Sequence, residues 1–137
     1  MSVYLLDTNI CIHLLNGTSS PLVAASRRQS PAQIRLSAVV KAELIDGAHH
    51  SARVAENLRL LQQFFRPFVS LPFDDACAER YGRIRQELVR RGEPIGPNDL
   101  MIAATALAHD LILVTPNTGE FGRVIGLAME DWEAGSS

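Results

Sequence analysis

Four side chains in this chain of 137 residues are suited to holding a hard cation: Asp7, Glu43, Asp99 and Asn117. Asp7 ends a short apolar run, and Asn117 follows another, 111–114. Asp99 opens an apolar helical stretch, and Glu43 lies in a helical stretch of its own. Taken singly, each has an ordinary reading. Asp7 could cap the next helix, and Asp99 could complement a helix N-terminus for roughly 0.3–1 kcal/mol. Glu43 resists that reading best. Its neighbours one helical turn away are Val39, Val40 and Gly47, which places a carboxylate on an apolar face expected to point inward. A buried, unpaired carboxylate is costly, and Lys41 lies on a different face. Three carboxylates at one sheet edge repel one another unless a divalent cation sits among them. Carboxylates alone favour Mg²⁺ or Mn²⁺. Such a metal polarises a phosphoryl oxygen, lowers the pKa of a bound water and orients in-line attack.

The elements that must position these groups alternate. Apolar runs predict strands at 3–6, 33–36, 68–71, 111–114 and 127–129. Helices are expected after the first run, from Ser20-Pro21, over 38–49 with Ser37 as N-cap, over 57–65 with Val54 one turn earlier, after Asp74-Asp75, and over 100–109. The stripe Cys77, Tyr81, Ile84 and Leu88 faces the core, and Gly92 ends its helix. Leu60 and Phe64 widen the apolar face of the 57–65 helix, which suits a covering partner or a neighbouring helix equally. Strands alternating with helices predict an α/β fold: a three-layer α/β/α sandwich around a central, mostly parallel sheet. Asp7 then falls at the carboxyl end of the first strand, the rim where open α/β sheets bind ligands.

Composition sets outer limits. The length suits one domain, 1–132, with 133–137 expected to be a disordered tail. Hydrophobic residues make up 47% and charged residues 20%, which excludes a disordered chain. Asp7 interrupts the first apolar run, so no signal peptide is read there, and no apolar stretch approaches the ~20 residues of a membrane span. Cys11 and Cys77 stand alone without a CxxC pair, so a cytoplasmic setting is expected and zinc is not. The net charge of −2 means that a nucleic-acid partner must be met by a local basic patch. Lys41 is the only lysine; the other cations are arginines, which fit phosphate bidentately.

Four segments, in order, carry a resemblance: Leu5-Leu6-Asp7-Thr8-Asn9, 37–44 around Glu43, 96–103 around Asp99, and 113–121 through Asn117 and Glu120. They resemble the four motifs of the PIN-domain family, in particular the VapC toxins of bacterial VapBC toxin–antitoxin pairs. The likeness runs the length of the chain, down to Trp132. It implies a parallel sheet between helices and metal-dependent endoribonucleolytic cleavage of structured RNA, with tRNA, including initiator tRNA, as substrate. It also implies a VapB-type antitoxin, a toxin homodimer and a toxin–antitoxin hetero-oligomer.

Carried over by position, the resemblance makes Asp7, Glu43 and Asp99 the catalytic, Mg²⁺-binding acids. Asn117 occupies a position where many relatives have a fourth acid, and Glu120 is a candidate replacement. Thr8, Asn9, Ser37 and Thr115 would orient ligands or the attacking water. Lys41, Arg83, Arg85, Arg90 and Arg91 are candidates for holding RNA phosphates. Two other readings compete. One is a PIN fold that binds RNA or protein without cleaving. The other is a receiver-like phosphoacceptor domain, which lacks its required lysine at the end of a late strand.

Overall fold

The computed structural model describes residues 2–134. The order of elements is β1 (Tyr4–Leu6), α1 (Thr8–Asn16), α2 (Ser20–Arg27), β2 (Ile34–Ser37), α3 (Ala38–His49), α4 (Val54–Phe65), β3 (Val69–Leu71), α5 (Asp75–Arg90), α6 (Pro97–Ala108), β4 (Ile112–Val114), α7 (Thr118–Phe121) and β5 (Met129–Glu130). The five strands form one sheet in the order β3-β2-β1-β4-β5, and every pair is parallel. This is the expected α/β architecture, with the sheet parallel throughout.

The strand order fixes where a site can form. From β1 the chain steps outward through β2 to β3, then returns past β1 to β4 and β5. Right-handed crossovers in opposite directions place α1 to α4 on one face and α5 to α7 on the other. Their loops diverge above the carboxyl ends of β1 and β4, which opens a crevice there. The register Leu6↔Val114 sets Asp7 and Thr115 side by side at this point.

The strands can be short because both faces are covered. Leu5, Leu6, Leu36, Leu113 and Val114 are fully buried. Each such side chain contributes roughly 1.5–3 kcal/mol through burial. The helix α6 is apolar nearly all round, and Ile102, Ala103, Ala104 and Ala106 are inaccessible to solvent. Gly17, with φ 63°, ends α1 in the left-handed conformation. After β5, Trp132 packs edge-on against Tyr4 with ring centroids 5.0 Å apart. Glu133, in the expected tail, reaches back to His13 on α1; residues 135–137 lie outside the described residues.

One element near the site was not anticipated. The polar stretch after β4 forms the four-residue helix α7. Phe121, 1% exposed, anchors it to the core. Gly122 closes it, and its N–H donates to the Thr118 carbonyl at 2.8 Å. A Cβ at position 122 would lie 2.6 Å from that backbone oxygen. Gly122→Ala is therefore expected to lower the Tm and to impair any activity that needs α7 in place. Thermal melts and activity assays check this; a variant matching the parent in both would exclude a role for this close approach.

Candidate active site at the carboxyl rim of the sheet

Asp7 lies one residue past β1 and is 4% exposed. Its Oδ1 accepts from the Ile10 N–H at 2.8 Å, which caps α1. Its Oδ2 accepts from the Thr115 hydroxyl, which stands just past β4. The capping reading is thus correct as far as it goes, but capping uses only one oxygen. The second stitches the two central strands together at the crevice. The Thr115 oxygen in turn accepts from the Asn117 N–H at 3.0 Å, passing the constraint to the loop before α7. Burial pushes the Asp7 carboxyl above its ordinary value, and the bonds from Thr115 and Ile10 partly offset the rise.

Glu43 is half-buried, not enclosed as its helical neighbours suggested. Gly47, one turn later, is exposed, so this face of α3 is partly open. Nor is the carboxylate unpaired: the Thr8 hydroxyl donates to Oε1 at 2.7 Å. Thr8 follows Asp7 directly, so one dipeptide positions two of the acids. Glu43 lines two clefts. One, of about 660 Å³, runs between α1, α3 and α4; the other, of about 440 Å³, lies between α3 and the start of α6.

Asp99 sits in the first turn of α6, which Gly96 caps and Pro97 opens. Its carboxyl is pushed up to about 6, first by burial and then by the negative charges of Glu120, Glu43 and Asp7. A half-buried acid near three others holds its proton more tightly for both reasons. Glu120 therefore belongs to the cluster. The Asn117 side-chain amide donates to Glu120 Oε2 at 2.8 Å, so the asparagine holds the acid that supplies the missing charge. Glu120 is the residue the sequence offers as a candidate replacement for the fourth acid, and the unanticipated α7 sets it on the rim.

The remaining expected residues divide. Thr8 and Thr115 orient acids directly. Ser37 is buried and caps α3 through the Val40 N–H at 3.1 Å, so it sets the helix that carries Glu43. Asn9 is exposed and makes no side-chain hydrogen bond to the described residues. Lys41 lies over the Phe65 ring, 4.9 Å from its centroid. Arg83 pairs with Glu79, and Arg91 bridges Glu87, Glu93 and the Arg123 carbonyl, while Arg85 and Arg90 are exposed.

The structure thus gathers Asp7, Glu43, Asp99 and Glu120 around one crevice, but it does not bring three of their carboxylates to chelating distance. Among the described residues, the one trio offering ligand atoms all within 4.8 Å of each other is Asp74, Cys77 and His109, elsewhere in the fold. Thr8 and Asn117 hold Glu43 and Glu120 by hydrogen bonds, so side-chain rotation would have to close the set. The donors are all hard oxygens and carry surplus negative charge, which fits Mg²⁺ or Mn²⁺.

The charge crowding makes a stability prediction. An acid whose folded pKa of about 6 exceeds the ordinary 3.8 binds its proton more tightly when folded. Stability is therefore lost as pH rises from about 4 to 6 and stays lost above. With Asp99 partly exposed, Asp99→Asn is expected to stabilise the chain in EDTA at pH 8 by about 1 kcal/mol, or about 3 °C in Tm. The advantage should vanish towards pH 4. Melts across this range check it, and equal stability at pH 8 would contradict the assigned crowding.

Comparison with known proteins accords with this geometry. The PIN domain model matches residues 4–127. The tRNA(fMet)-specific endonuclease VapC of Shigella flexneri is 41% identical over 133 residues, covering 96% of this chain and 99% of that protein. The DNA-bound VapBC structure from Salmonella typhimurium superposes with a TM-score of 0.90 at 35% identity, covering 96% of this chain and 99% of that one. The Rickettsia felis VapBC2 structure, bound to a promoter DNA fragment, superposes with a TM-score of 0.89 at 34% identity, covering 95% and 98%. A domain match over most of the chain, near full-length relatives and a shared fold lead to one conclusion: the chain belongs to the PIN-domain family, among its VapC members.

Proposed function

We propose that this chain is the toxin of a type II toxin–antitoxin pair and acts in the cytoplasm as a Mg²⁺-dependent endoribonuclease on structured RNA. The observation that carries this reading is the cluster of four acids at the β1/β4 crevice, where burial and the neighbouring acids push Asp99 up to about 6. Initiator tRNA is the first substrate to test, since a 41%-identical relative is named as an endonuclease specific for it.

Asp7, Asp99 and Glu120 would hold the cation, with Glu43 as a further ligand or as the base. When bound, the cation polarises the phosphodiester and makes water a better nucleophile. Asp7 is oriented by Thr115 and by the start of α1, so its direction is fixed before substrate arrives. Glu43, held by Thr8 at the lip of two clefts, would accept a proton from the attacking water. Asn117 adds no charge but holds Glu120, which supports the cleaving reading over a non-cleaving module. RNA approaching an acidic rim needs cations nearby. The exposed Arg85 and Arg90 are the freest of the candidates, with Arg83 and Lys41 held by weaker contacts. Arg91 is more firmly committed, to the Arg123 carbonyl. Binding through such groups weakens as salt rises.

Water attack leaves a 5′-phosphate and a 3′-hydroxyl, whereas attack by the 2′-hydroxyl leaves a cyclic phosphate. The expected outcome is Mg²⁺-dependent, EDTA-sensitive cleavage of initiator tRNA with 5′-phosphate ends. Asp7→Asn keeps a side chain able to cap α1 but removes the charge. It should retain the fold and lose more than about 100-fold in cleavage rate, since even indirect partners of a metal are worth 10–100-fold. Cleavage at the parental rate, or cyclic phosphate ends, would sink the assignment.

The larger cleft supports the antitoxin partner. Its walls include Ile12, Leu15 and Leu60, which are 38%, 38% and 42% exposed, together with Phe64. It reaches Glu43, so a segment lying in it would run to the acidic site. Leu60→Asp is expected to leave RNA cleavage intact while weakening binding of the cognate antitoxin at least tenfold, about 1.4 kcal/mol. Titration calorimetry would show it, and unchanged affinity would place the antitoxin on another surface.

A further inference from the structure

At the end of α6 opposite Asp99, a second group of side chains comes together that the nuclease reading does not use. Asp74 caps α5, accepting from the Cys77 N–H through Oδ1 at 3.0 Å. That bond leaves Oδ2 free, and it lies 3.4 Å from His109 Nε2. His109 caps the C-terminus of α6, and its Nε2 is shielded from solvent without a hydrogen-bond partner. Cys77, 0% exposed, completes the group. One ligand atom from each residue lies within 4.8 Å of the other two. His109 is ten positions beyond Asp99 along one helical segment, so this group lies about 15 Å from the acidic rim.

We propose that Asp74, Cys77 and His109 form a Zn²⁺ site that clamps the start of α5 to the end of α6. Three observations support it. The donor types, thiolate, imidazole and carboxylate, are those zinc takes. One edge already has the right length: ligands 2.0–2.3 Å from a tetrahedral zinc lie about 3.5 Å apart, the Asp74–His109 separation is 3.4 Å, and the thiol lies within 4.8 Å of both. A buried ring nitrogen without a partner also calls for a lone-pair acceptor. The Asp74 carboxylate is 41% exposed, so an incoming ion meets it first, while the Cys77 thiol and His109 Nε2 are shielded behind it. Binding exchanges the Cys77 thiol proton for the metal and uses His109 as the neutral imidazole.

The test is a Co²⁺ titration of the purified full-length chain under a non-thiol reductant. A thiolate-to-cobalt charge-transfer absorption should saturate at one equivalent and be bleached by one equivalent of Zn²⁺. Cys77→Ser should abolish the band. His109→Gln, at a partly exposed helix end where folding is least at risk, should weaken Zn²⁺ binding more than about 100-fold. Asp99→Asn should leave the band unchanged, which separates this site from the carboxylate rim. Absence of the band in the parent protein overturns the proposal. So does a band that survives Cys77→Ser, which would report Cys11, or an unaltered affinity in His109→Gln.

Discussion

A buried carboxylate with each oxygen committed to a different element is the constraint on which this molecule turns. Asp7 ends β1, starts α1 and receives the hydroxyl of Thr115 at the end of β4. Those contacts lower the cost of burying it, but burial still dominates and holds its carboxyl above the ordinary range. Removing the whole carboxylate here would leave two donors, the Ile10 N–H and the Thr115 hydroxyl, unsatisfied at the point where the strand order reverses, a loss that buried polar groups make expensive. The fold and the site therefore share one atom-level joint.

Around that joint, charge repulsion is managed by neutral donors. Thr8 takes hold of Glu43, and Asn117 takes hold of Glu120. No lysine or arginine enters the crevice to pair with these acids in the contacts described. The basic residues are spent elsewhere: Lys41 on a phenyl ring, Arg83 and Arg91 on neighbouring glutamates of α5. The crevice consequently keeps surplus negative charge, and Asp99 registers it most strongly. Such a centre is poised for a cation and costs the empty fold stability, a common trade at functional sites.

The apolar surface follows a similar division. Leu61 turns α4 into the core while Leu60 stays 42% exposed beside Phe64. An amphipathic helix with one clean stripe needs no such surplus. Here the surplus walls a cleft that ends at Glu43, so the apolar surface and the acidic rim are continuous.

Much of this was legible in the residues. Apolar runs ending in polar corners gave the strands, because a strand covered on both faces has no room for polar side chains until it reaches the rim. Ser37, Asp74 and Gly92 marked helix boundaries because capping chemistry is local. Asp7, Glu43 and Asp99 were recognisable as acids at one edge, since parallel strands deliver their carboxyl ends to the same side. What the sequence could not fix was decided by contacts between distant segments. Glu43 was read as enclosed and unpaired, yet Thr8, 35 positions away, supplies its partner. Glu120 joined the rim only through α7, a four-residue helix too short for periodicity to reveal. Cys77 stands alone in the sequence because no CxxC pair includes it; the packing of α5 on α6 brings His109, 32 positions later, beside it. Local pattern determined which elements form and which residues stand at their ends. Tertiary packing alone decided which of those ends meet, because that depends on distances no local rule encodes.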